Sequence, residues 1–123
     1  AIVTKEEHAK VLAALETCKT GGYRDVDGDW CKRQVFNENA VTEAIAIMRK
    51  EPEPISDAEK WKQAVMLAYG HLWHVNNEPM APIPMRSPEK AAYAARRVLL
   101  DLLTHEERGL AINEVRALLE KAR

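Results

Sequence analysis

The chain has 123 residues, of which 46 % are hydrophobic and 30 % charged, with a formal net charge of −1. That length supports one hydrophobic core but not two, and the balance excludes a disordered tail. Residues 1–51 carry nine acids against eight bases and residues 52–123 carry ten of each, so neither half has the basic excess of a phosphate-backbone binder or the acidity of a nucleic-acid mimic.

Cys18 and Cys31 are the two cysteines, which points to a reduced compartment without a disulfide framework. No apolar run approaches the ~20 residues that span a bilayer. The opening AIVTKEEHAK lacks the basic-then-apolar plan of a signal peptide. With Ala1 read as following a removed initiator methionine, a cytoplasmic protein with no membrane partner is expected.

Thr4 to Glu7 form a capping box, in which the Thr4 hydroxyl accepts from the Glu7 N–H and the Glu7 carboxylate from the Thr4 N–H. Ala9, Val11, Leu12, Leu15 and Cys18 then repeat at helical spacing, and Gly21-Gly22 is expected to end the helix through a left-handed residue. From Tyr23 to Phe36 the period changes around Asp27-Gly28, a two-residue hairpin signal. A short β-hairpin is expected at about 22–36, leaning on the helices through Tyr23 and Trp30 because an isolated two-stranded hairpin is marginal in water.

Asn37 can cap a second helix with Val41, Ala44, Ile45 and Met48 on its inward face, and the EPEP run from Glu51 to Pro54 stops it. Ser56 to Glu59 form another capping box. The helix it opens, to Asn77, is the most apolar stretch of the chain. At roughly 100° per residue Trp61, Ala64, Val65, Ala68, Leu72 and Val75 share a face, which Met66, Tyr69 and Trp73 widen. Gln63, Leu67, Gly70, His71 and His74 make up the remaining, partly polar strip. Such a helix is expected to be central, covered by other helices or by a second chain.

From Pro79 to Pro88 prolines interrupt any helix, and Met80, Ile83 and Met85 lie among them. Ser87 and Pro88 are expected as cap and first position of a further helix, whose apolar face is Ala91, Ala92, Ala95, Val98, Leu99, Leu102 and Leu103. Thr104 to Glu107 form a third capping box, and a last helix holds Val115, Leu118 and Leu119, with Asn113 an alternative cap. The fold expected is mainly α: a compact five-helix bundle with one small β-hairpin between the first two helices. It forms a single domain with proline-rich linkers at about 51–55 and 78–88.

Chemistry-bearing constellations are sparse. His71 and His74 stand three apart on a helix, a spacing that can place two imidazoles on one metal, but no third ligand stands at a recognised spacing. The bland alternative is one partly exposed histidine and one that hydrogen-bonds the proline loop. Asp25, Asp27 and Asp29 begin like a calcium loop that then fails, because the positions requiring glycine and a bidentate acid are Trp30 and Phe36. Cys18 falls near a helix C-terminus, where the dipole disfavours a thiolate, and Cys31 has Lys32 and Arg33 beside it but no paired base. Glu106-Glu107 is explained by its cap, and no phosphate-binding loop or nucleophile elbow occurs. No catalytic residue and no cofactor is expected.

Arg86, Lys90, Arg96 and Arg97 could line one helix, which makes a nucleic-acid regulator acting through Arg96 and Arg97 the alternative function. Acids spread nearby favour a solvated face. Met80, Ile83 and Met85 on proline-restrained backbone offer either an adaptable binding surface or a lid over the core. Together with Met66, Tyr69 and Trp73 they are the expected partner-binding residues, with a second copy in a homodimer or a host protein as partner.

Residues 11–50 (VLAALETCKTGG…DWCKRQVFNENAVTEAIAIMRK) and 64–119 (AVMLAYGHLWHVNNEP…SPEKAAYAARRVLLDLLTHEERGLAINEVRALL) resemble small proteins of enterobacterial lambda-like tailed phages and prophages to which no activity is assigned. The resemblance covers most of the chain and carries no functional residues across. It implies a phage accessory protein in a bacterial cytoplasm, serving takeover, defence evasion or regulation as a non-catalytic protein-binding module.

Overall fold

The computed structural model describes residues 2–51, 57–77 and 86–121. Among these, five helices and one two-stranded ribbon follow in the order α1 (Lys5–Glu16), β1 (Lys19–Arg24), β2 (Trp30–Val35), α2 (Glu38–Met48), α3 (Ala58–Asn77), α4 (Arg86–Leu100) and α5 (His105–Lys121). The fold is mainly α and compact.

Local chemistry sets most helix starts. Thr4 and Glu7 exchange both bonds of a capping box at 3.2 Å, as do Thr104 and Glu107 at 2.9 and 3.2 Å. The Asn37 side chain accepts from the Ala40 N–H at 3.0 Å. These contacts satisfy N–H groups that have no partner within the helix. α5 runs unbroken through Gly109 and Asn113, so the alternative cap at Asn113 is corrected: the Thr104 box already starts the helix. α4 begins at Arg86, placing Ser87 and Pro88 inside its first turn, where proline's missing N–H costs no bond. The Ser56 cap, the EPEP stop and the Met80, Ile83 and Met85 segment lie outside the described residues.

The ribbon differs from expectation in two respects. α1 ends at Thr17, whose hydroxyl donates to the Ala14 carbonyl at 2.6 Å, and Gly21 and Gly22 lie within β1 instead of closing the helix. The turn is also longer than the two residues Asp27-Gly28. The Gly28 N–H donates to the Asp25 carbonyl at 3.1 Å and the Asp25 N–H to the Asp29 carbonyl at 3.0 Å, while Gly28 takes φ +83°. That is a three-residue connection with a left-handed glycine before the bulge. Asp25 Oδ1 reinforces it by accepting from the N–H groups of Asp27 and Asp29, each at 2.9 Å. The packing of the Tyr23 and Trp30 side chains lies outside the described residues.

α3 is the central helix: α1, α4 and α5 all pack on it, while α2 packs on α1 and α4. Val65, Ala68, Leu72, Leu15, Ile45 and Leu99 are buried, and Trp61 and Leu102 pack half-buried at the margin of the same core. The His8 ring lies 4.7 Å from the Trp61 ring between α1 and α3. Two ion pairs pin the periphery. Lys50 meets Glu7 at 2.6 Å, beside a short bridge of Ile2 with Glu51. Lys62 meets Glu107 at 3.0 Å and also donates to the Leu102 carbonyl at 3.4 Å.

Candidate functional site

The strip of α3 that reads as its least apolar side is met by α5 at Gly70 and His74, while Gln63 and Leu67 of the same strip stay exposed. A Cβ on Gly70 would stand 2.5 Å from the Ala111 carbonyl oxygen and 2.5 Å from Val115 Cγ2, so the two helices approach where α3 has no side chain. Contacts step from Lys62–Glu107 near both helix starts to Gly70–Ala111 and His74–Ile112 further along. The helices therefore run in the same sense, with α4 returning between them in sequence.

Both histidines are buried, which corrects the expectation that one of them is partly exposed. His71 is 5 % exposed and His74 0 %. His74 Nε2 lies 3.0 Å from the Ile112 carbonyl oxygen, and a ring nitrogen facing a carbonyl must carry the hydrogen and donate it. Burial, with the neighbouring His74 second, pushes His71 down to about 4, so its ring is neutral near pH 7. Among the described residues the group of three metal-competent side chains is not here but at Asp25, Asp27 and Asp29, whose ligand atoms lie within 4.8 Å of one another. There Asp25 Oδ1 is already engaged by two turn N–H groups.

Cys18 is buried and burial pushes its thiol up to about 12, which removes the thiolate that nucleophilic chemistry requires. The Cys31 side chain lies outside the described residues. On α4, Arg97 is exposed, and the Arg96 guanidinium carbon stands 5.6 Å from the centroid of the Tyr93 ring, an intramolecular cation–π pair.

Of the six expected partner-binding residues, Met80, Ile83 and Met85 lie outside the described residues. Tyr69 is corrected to the core at 5 % exposed, because the flank it occupies is enclosed by the packed helices. Met66 and Trp73 are half-buried, resting on the core while part of each side chain stays open. Seven residues apart, they share one face of α3. Leu67, which sequence reasoning left in the remaining strip, is 37 % exposed, and Leu110 and Leu118 of α5 are open as well. Their signal was leucine beside polar neighbours, indistinguishable without the fold from a core position. No protein-family model, no curated protein and no solved structure matches the chain.

Proposed function

We propose that the chain is a non-catalytic protein-binding module whose partner docks on α3 at Met66 and Trp73. One observation carries the reading: α1, α4 and α5 pack on α3, yet these two large apolar side chains, aligned on one face, are left half-open. Fully burying such a side chain from water is worth about 1.5–3 kcal/mol, and covering the part still open adds a fraction of that at each of two neighbouring anchors, the arrangement in which a few residues dominate an interface. Three groups with ligating or nucleophilic chemistry support it from the other side, since His71, His74 and Cys18 are packed into the core. The setting, a phage or prophage accessory role in a bacterial cell, belongs to the proposal and rests on the resemblance of residues 11–50 and 64–119 alone.

Affinity capture from a bacterial lysate, comparing the unaltered chain with Trp73→Glu, tests it. A protein retained by the first and lost from the second is expected. No retained protein, or the same set on both, would overturn the reading.

A further inference from the structure

β1 is paired along one edge. Among the described residues the sheet holds two strands in the order β1–β2, and β2 is the strand that packs on α3. The hydrogen-bond phase follows from the turn, where the bond from the Asp25 N–H to the Asp29 carbonyl marks a bonded pair. Bonded and non-bonded pairs alternate along an antiparallel ladder, and the register runs without a bulge from Arg24↔Trp30 to Lys19↔Val35. The bonded pairs are therefore Tyr23/Cys31, Gly21/Arg33 and Lys19/Val35. The backbone N–H and C=O groups of Thr20, Gly22 and Arg24 point to the opposite edge.

We propose that this edge pairs with the same edge of a second copy of the chain. The two β1 strands run antiparallel about a two-fold axis at Gly22, joining the ribbons into a four-stranded sheet. Phase fixes the register, because outward-directed residues must face outward-directed residues and the set Thr20, Gly22 and Arg24 is symmetrical about Gly22. Gly22 then faces its own copy, and Thr20 faces Arg24 of the second copy.

Charge supports the same register independently. It sets Lys19 opposite Asp25 at both ends of the join, and opposite charges directly across an antiparallel pair stabilise it while like charges do the reverse. Lys19 is exposed, and the Asp25 carboxylate is held in place by its two turn N–H groups, with Asp27 and Asp29 adding negative charge beside it. A slip by two residues sets Lys19 opposite Tyr23 or Asp27, and leaves one outward-directed residue facing a helix end or the turn. Lysine on an edge strand ordinarily discourages pairing; here each Lys19 meets a carboxylate and no second cation. The edge shares no residue with the α3 face at Met66 and Trp73 and its test uses different variants, so its failure leaves the reading above standing.

Sedimentation equilibrium of the full chain from micromolar to near-millimolar concentration should give twice the monomer mass, with dimer affinity falling about ten-fold in Lys19→Glu. In a Cys31→Ser background under a mild oxidant, Gly22→Cys should cross-link readily, since facing residues of a bonded pair stand about 5.5 Å apart, within disulfide reach. Gly21→Cys, diagonal to its copy, should not. A monomer at every concentration overturns the proposal, as does a dimer unaffected by Lys19→Glu or one in which Gly22→Cys cross-links no faster than Gly21→Cys.

Discussion

Where α3 crosses α5, a Cβ on Gly70 would stand 2.5 Å from a backbone carbonyl oxygen, whereas at the ribbon tip a Cβ on Gly28 would meet nothing within 4 Å. The first glycine is required for space and the second for conformation, since Gly28 holds φ +83° and Gly70 is helical. A third, Gly109 in α5, is required for neither, having open space and helical backbone. The same residue type therefore marks a tight interhelical contact, a left-handed turn and an unfilled helix position, and substitutions separate the three.

The largest effect expected on α3 comes from acid. His71 has a folded value of about 4 against 6.5 for the free side chain, so between those values the unfolded chain binds more protons than the folded one. Stability is then full above pH 6.5 and is lost as pH falls toward 4, by up to about 3 kcal/mol from this group. From about pH 4.5 downward, the free value of a glutamate, the Glu7 and Glu107 carboxylates add to the loss. Glu7 is held low chiefly by its bond with Lys50 and Glu107 chiefly by the Thr104 N–H. Chemical denaturation at pH 7.0 and at pH 5.0 (working values covering about 1.5 units of the window) measures the slope. His71→Phe should flatten it.

Gly70→Ala should follow, costing about 1–3 kcal/mol by overpacking, because it strikes the Ala111 backbone oxygen and Val115 Cγ2 alike, and neither backbone nor a β-branched side chain gives way easily. Thermal melting should show a lowered midpoint with helix content kept. Gly28→Ala should cost about 1–2 kcal/mol for forcing an L-residue left-handed, and Gly28→Asn should recover part of that, since asparagine tolerates the region. Gly109→Ala should do the opposite and stabilise by roughly 0.5–1 kcal/mol, the ordinary gain of alanine over glycine in a helix. Shifts of opposite sign at Gly70 and Gly109 would be the sharpest sign that space, not helix propensity, governs the crossing.

Much of the fold is legible before any coordinates. The Thr4, Asn37 and Thr104 caps are local, so their spacing alone specifies them, and the inward faces of α2 and α4 follow from apolar residues every three or four positions. What the spacing hides is which side of α3 a neighbour covers. Gly70, His71 and His74 score as a polar remainder, yet glycine's missing side chain admits α5 and buried imidazole is tolerated where one nitrogen reaches the Ile112 carbonyl. Gly21-Gly22 misled for a related reason: a glycine pair fits a helix stop and a strand equally well until its partners, Arg33 and Lys32, are known. The half-open positions of Met66 and Trp73 were legible as apolar, but that Tyr69 is enclosed while they are not depends on how the neighbouring helices settle.

Histidine ring signals in an NMR pH titration test most directly whether His71 and His74 are packing elements of α3. His71 should stay neutral until about pH 4, and His74 should show hydrogen on Nε2, facing the Ile112 carbonyl. A His71 midpoint near the ordinary 6.5, or ring signals that shift on adding stoichiometric Zn²⁺, would contradict the assignment and return the pair to the surface as a candidate site.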